Sequence, residues 1–258
     1  PTDVGPGGND AQARSQYHAV FLQVNKKMSH GIQGGFSYTL SRLKSNNDES
    51  LGVADITNSA SQIPQDYFDI SSEYALSAFD RTHRAVVNYM WEIPGPKSGV
   101  LKQIAGGWQL SGITSFQSGQ PFTVFTGQDT NGNGGGADRP NLTGSGSFDW
   151  DSEHKGFTNN GYYTVPRTAA GAVLPFSLGN GNGLKTAHRA ASVWNTDLSL
   201  AKSFDIKRTR LNVRIDAFNA LDQDNYGVPT TSMSSADFGK NLNNWGNRSL
   251  TLSAKLSF

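Results

Sequence analysis

The feature that most constrains this chain is a two-residue alternation sustained over runs longer than an ordinary strand. In the last of them, "RSLTLSAKLSF" (248–258), Leu250, Leu252, Ala254, Leu256 and Phe258 are apolar, and Ser249, Thr251, Ser253, Lys255 and Ser257 between them are polar. That period puts each set on one face of a β-strand. Chain ends usually fray into polar tails, whereas this one keeps its pattern up to an aromatic last residue. The same pattern recurs upstream. Val20, Leu22, Val24 and Met28 share one parity in 17–28, as do Ile32, Phe36, Tyr38 and Leu40 in 32–41. The sets Ala85, Val87, Tyr89, Trp91 and Ile93, then Trp108, Leu110, Thr114 and Phe116, follow in 83–94 and 108–119. Trp194, Leu198, Leu200 and Phe204 in 194–204 and Leu211, Val213, Ile215 and Ala217 in 210–221 bring the number of runs to seven.

Alternation alone fits a membrane barrel or a soluble antiparallel sheet, because both bury one face. Length separates them. The runs are about 10–12 residues long, while soluble strands average about 5–6 and a tilted membrane strand needs about 9–11. The connections also alternate: "SHG" (29–31) and "DIKRT" (205–209) are tight, 95–107 is intermediate, and 43–82, 120–192 and 222–246 are long and polar. Short turns on one side and long loops on the other are the outer-membrane barrel pattern. With directions assigned from those turns, Trp91, Trp108, Phe204 and Phe258 fall at one level on the short-turn side, as an aromatic girdle does. The opposite face carries Arg84, Asn88, Glu92, Gln109, Asp197, Asn212, Arg214, Asp216 and Lys255, residues suited to a wet lumen. Lys202 breaks the pattern, since its parity points to lipid; two residues from Phe204, it is within snorkelling reach of the interface.

Composition narrows the function classes. With 22 basic and 21 acidic residues the net charge is +1, which gives no electrostatic footprint for nucleic acid. The absence of cysteine removes disulfides and thiolate metal sites. No apolar run is long enough for a transmembrane helix, and no export signal opens the chain. An odd number of strands does not close a bacterial barrel, so the expected architecture is an all-β antiparallel transmembrane barrel segment over 1–258, seven strands of a larger barrel, with residue 1 not a natural start.

In their order, "YHAVFLQVNKKMSHGIQGGFSYTLS", "SAFDRTHRAVVNYMWEIP", "GGWQLSGITSFQSGQPFTV", "GNGNGLKT", "TDLSLAKSF", "LNVRIDAFNALDQDNYGVP" and the terminal strand resemble the C-terminal part of Oar-like TonB-dependent outer-membrane transporters. The group often carries a carboxypeptidase-regulatory-like domain at its N-terminus. The resemblance implies a 22-stranded barrel around a plug, of which this chain supplies about the last third. It also implies location in the outer membrane of a Gram-negative bacterium, contact with outer-membrane lipid, and assembly by the outer-membrane machinery with Phe258 as signal. Energy coupling through the TonB complex would use segments absent from this chain. The implied activity is passage of a bulky, unknown extracellular ligand. A soluble all-β binding or adhesion module and a passive porin segment are the alternatives.

The remaining motifs carry less. "DTNGNG" (129–134) matches the first half of a calcium loop, with Asp129, Asn131 and Asn133 at alternate positions, but Pro140 stands where a bidentate Glu belongs. Asp138 substitutes only with a different geometry, and the plainer reading of the run is a flexible Asn/Gly turn. Calcium is the one cofactor considered. "GNGNGLKT" (179–186) lacks the Gly-Lys-Ser/Thr order of a phosphate loop. The five histidines have no metal-ligand spacing, no nucleophile elbow appears, and "DRTHR" (80–84) reads as a hydrogen-bonded corner where a loop enters the barrel. No enzyme is indicated. Trp150, Phe157, Tyr162 and Tyr163 in the longest loop, and Trp245 in the last, are the ligand-binding candidates: such rings beside amides stack on sugars or peptides, or they pack the loop on itself.

Overall fold

A strand with one apolar and one polar face needs neighbours whose faces match, and a two-residue turn fixes which neighbour it gets. The computed structural model of the chain describes residues 14–46, 70–96, 98–130, 138–153, 155–166, 187–206 and 208–258. Between β1 (Ser15–Ser29) and β2 (Ile32–Ser45), His30 and Gly31 have φ of 54° and 76°. Two successive positive-φ residues make the hairpin turn whose twist suits antiparallel strands, and the glycine adopts it without a Cβ penalty. The later long strands are β3 (His83–Glu92), β4 (Trp108–Gln117), β5 (Val193–Ile206), β6 (Thr209–Phe218) and β7 (Ser249–Ser257). Each pairs antiparallel with the next, so the sheet is an up-and-down meander in chain order, with the two-residue strand Ala75–Leu76 added beside the end of β2.

The register aligns the faces that the alternation defines. Ile32, Trp91, Leu110, Leu200, Ile215 and Leu252 form one row across six strands. One residue along, Gln33, Met90, Ser111, Ser199, Asp216 and Thr251 form a row on the other face. A slip of one residue would have mixed them. One strand departs from the parity expectation: pairing slips between Lys26 and Ser29, so the alternation in β1 does not extend to Met28.

The apolar face is bare. Leu250 is 69% exposed, Leu252 73% and Val20 67%. Among the described residues, no second layer covers it, and the buried apolar side chains (Phe122, Val124, Phe148, Tyr163 and Ala190) all lie in the long loops instead. A soluble sheet would need a packed layer on that face. An apolar face left bare in this way is the surface that a barrel strand presents to lipid.

One element was not anticipated. The intermediate connection 95–107 contains a short helix, α1 (Gly99–Ala105). Its two legs touch: a Cβ on Gly95 would lie 2.7 Å from the Ala105 carbonyl oxygen and 2.8 Å from Gly106 Cα, so only glycine allows that approach.

Candidate functional site

The lipid-facing surface is bounded by two aromatic levels. Trp91, Trp108 and Phe204 stand near the tight-turn ends of β3, β4 and β5, and Phe258 follows the end of β7 on the same side. At the other end Tyr38, Ala85, Phe116 and Trp194 share one cross-strand row. This second level was missed in the sequence because its members lie far apart and meet only through register. Phe116 and Trp108 are eight residues apart on β4. That is about 26 Å along a strand, or about 20 Å across the membrane at a barrel tilt of about 40°, close to the apolar band of about 25 Å.

Lys202 does not snorkel freely. It is 3% exposed, and its Nζ donates to the Ile104 carbonyl of α1 at 2.7 Å. The ammonium also lies 5.1 Å from the Trp108 ring and 5.0 Å from the Phe204 ring, within cation–π range.

The opposite face holds an open depression of about 570 Å³ lined by Asn25, Asn88, Asp197, Arg214 and Asp216, among others. The sequence suggests that its charges pair across strands. Instead, Arg214 Nε donates to Asp216 Oδ1 at 2.7 Å along the same strand, because residues two apart on a strand share a face. Asp197 Oδ1 accepts from Asn195 Nδ2 and the Asn219 amide, both at 2.8 Å, and so holds the corner where β6 ends.

At the long-loop end, β4 and β5 continue into the short strands Pro121–Phe122 and His188–Arg189, which pair with each other. The hairpin Ser147–Asp151/Gly156–Asn160 folds over them. Phe148 is the hub: its ring stacks on Phe157 and Phe238 at 5.3 and 5.6 Å and meets Tyr163 and His188 edge-on at 5.3 and 4.8 Å. Tyr163 Oη and His188 Nε2 share a hydrogen bond of 2.5 Å. Burial pushes the Tyr163 hydroxyl up, and the nearby Tyr162 adds to it. Burial pushes the His188 imidazole down, against a smaller upward pull from Asp149.

Among the described residues, two ion pairs with buried carboxylates tie the loops together. Arg139 grips Glu73 through both terminal nitrogens, at 3.0 and 2.9 Å, joining the loop after β2 to the loop after β4. Asp80, 1% exposed, accepts from the Leu43 amide at 2.6 Å, Thr82 Oγ1 at 3.0 Å and Arg189 Nη2 at 2.5 Å. The "DRTHR" corner is therefore a satisfied carboxylate where loops enter the sheet.

The ligand candidates divide. Tyr163 is inside the loop core, with Phe157 and Tyr162 packed against it. Trp150 packs on Phe157 and Tyr226 yet stays 38% exposed, and Trp245, in the pairing of Asn225–Tyr226 with Asn244–Trp245, is 48% exposed. Of the calcium set, Asn131 and Asn133 lie outside the described residues. Asp138 is buried, with Oδ2 accepting from the Thr130 amide at 2.5 Å and Thr130 Oγ1 at 2.8 Å. Among the described residues, no group of three metal-ligating side chains forms.

A long-stranded antiparallel meander with a bare apolar face between aromatic levels, a polar concave face and loops at one end is the wall of an outer-membrane β-barrel. The chain belongs to the outer membrane beta barrel domain family, whose model matches residues 7–250. The crystal structure of the ferric citrate transporter FecA in its unliganded form is similar at a TM-score of 0.37 and 13% identity, over 88% of this chain and 21% of that one. The chain thus spans about a fifth of that protein's length. No curated protein matches the sequence.

Proposed function

We propose that this chain is wall and extracellular loop of a TonB-dependent outer-membrane transporter of the Oar-like group, supplying seven strands of a barrel of about 22 around a plug. The observation that carries this reading is the loop core. A passive pore needs an open mouth, whereas these loops are packed around Phe148 and clamped by the Arg139–Glu73 pair, as a rigid ligand-gripping surface requires. The ordered sequence pieces support the group. Trp150 and Trp245 present ring faces to a bulky ligand, the polar concavity lines its path, and the TonB complex supplies the energy through parts of the protein outside this chain. The function is non-enzymatic.

The test is uptake by the full-length protein in cells. Deleting the TonB-contacting segment should abolish uptake of the ligand that the protein depletes from the medium. Trp150→Ala and Trp245→Ala should each weaken its capture by about 1–3 kcal/mol, the cost of a lost aromatic contact. Uptake that survives loss of the TonB contact would make the protein a passive porin.

A further inference from the structure

Helix α1 lies at the tight-turn end of the wall, the periplasmic end of an outer-membrane barrel. Two lipid-parity side chains fix it there: Trp108 Nε1 donates to the Ile104 carbonyl at 3.0 Å, and Lys202 Nζ donates to the same oxygen at 2.7 Å. The helix is therefore on the outer surface, not under the lumen. Its legs are held together by the Gly95 approach and by the Ile93 amide, which donates to the Trp108 carbonyl at 2.9 Å. Leu101 and Ile104, three positions apart and so on one side of a helix, are each 66% exposed. A connection that is closed by glycines, latched by a buried lysine and yet shows two aliphatic side chains outward is built to present them.

We infer that α1 is an interfacial foot: Leu101 and Ile104 insert into the periplasmic leaflet of the outer membrane, and Lys202 is the latch that holds the helix to the wall. The occupant is phospholipid because the patch is continuous with the lipid-facing band. Trp108 and Phe204 of the lower aromatic level are the rings that flank Lys202. Short amphipathic segments lie in the interface with their apolar side about 5–10 Å deep. The latch also answers a problem of the wall. An ammonium of lipid parity is costly against hydrocarbon, and α1 supplies it with a carbonyl acceptor beside two ring faces. The inference rests on the barrel assignment and is independent of what the barrel transports.

The chain has no cysteine of its own, which suits site-directed spin labelling of the full-length protein with any cysteine elsewhere replaced. Labels at Leu101→Cys and Ile104→Cys are compared, in nanodiscs of phosphatidylethanolamine and phosphatidylglycerol, with one at Leu252→Cys on the wall and one at Ser145→Cys on an exposed loop turn. Collision with lipid-soluble oxygen is measured against collision with a water-soluble nickel chelate. Foot labels that favour oxygen as the Leu252 label does are the expected result. Foot labels as open to nickel as the Ser145 label, or shielded only when a periplasmic protein is added, would overturn the proposal. In a Lys202→Met background the foot labels should become more mobile and several-fold more open to nickel. Unchanged labels would overturn the latch. Should that variant fail to assemble, the labels in the native background still decide the foot.

Discussion

The wall and the loop core are two answers to the same problem, where to put apolar surface. In the wall, Leu250 and Leu252 face outward and the polar residues face the concavity. In the loops, Phe122 and Phe148 are buried at 1% and 5% exposure, and buried polar groups such as Asp80, Asp138 and Arg139 are hydrogen-bonded beside them. The first arrangement suits lipid, where the backbone groups of the inner strands are paired along the ladder. The second is how any domain in water is held together. One chain therefore carries two kinds of stability, and damage to one region should leave the other standing.

The largest expected effect falls on the loops. Phe148→Ala removes the ring that touches Phe157, Tyr163, His188 and Phe238 and should cost about 3–5 kcal/mol of loop stability. Arg139→Met removes both guanidinium hydrogen bonds to the buried Glu73 carboxylate and should also loosen the loops, by up to about 3–5 kcal/mol. Limited proteolysis should show rapid loop cleavage in both variants, while the barrel stays heat-modifiable on a gel. Loss of the barrel as well would show that the two regions are not separable.

Next comes the wall. Leu252→Arg places a charge near the middle of the lipid band and should cost about 2–4 kcal/mol, whereas Ser253→Arg, on the lumen face beside it, should cost much less. Equilibrium unfolding from bilayers measures both. Equal penalties would contradict the assignment of faces.

The smallest effect is a pH dependence confined to the loops. Burial lowers the His188 pKa in the folded state. Above the unfolded value of about 6.5 neither state binds the proton and nothing changes. As pH falls below it, the opened loop takes up a proton that the packed loop refuses, so packing loses stability until the folded pKa is passed. Hydrogen-exchange protection, taken relative to the intrinsic rate at each pH, should therefore fall at the strand His188–Arg189 and the hairpin Ser147–Asp151/Gly156–Asn160 on going from pH 7.5 to 5, and not in β5 or β6. His188→Phe should remove the dependence.

The same comparison explains what could be read in advance. The seven wall strands were legible to within about four residues at each end, since membrane strands are long and alternate without interruption. The His30-Gly31 turn carried its own signal. The upper aromatic level was not legible, because Tyr38, Phe116 and Trp194 become neighbours only once the register is known. Nor was α1: seven residues are too few for periodicity to stand out, although Val100, Leu101 and Ile104 between glycines were the available hint. Lys202 does have the parity of the apolar face, but its acceptor comes from the helix, which periodicity does not reveal. In the loops the sequence offered a list of aromatics without sorting them. Tyr162 and Tyr163 are adjacent and chemically equal, and only packing decides that the second is buried.

The central claim is that one parity of every wall strand faces lipid and the other faces water. A cysteine scan of β6 in the outer membrane of intact cells tests it most directly, with a membrane-impermeant maleimide small enough to enter the lumen. The account predicts labelling at positions 212, 214 and 216 and protection at 211, 213, 215 and 217, a period of two along the strand. Uniform labelling, uniform protection or the opposite phase would contradict it.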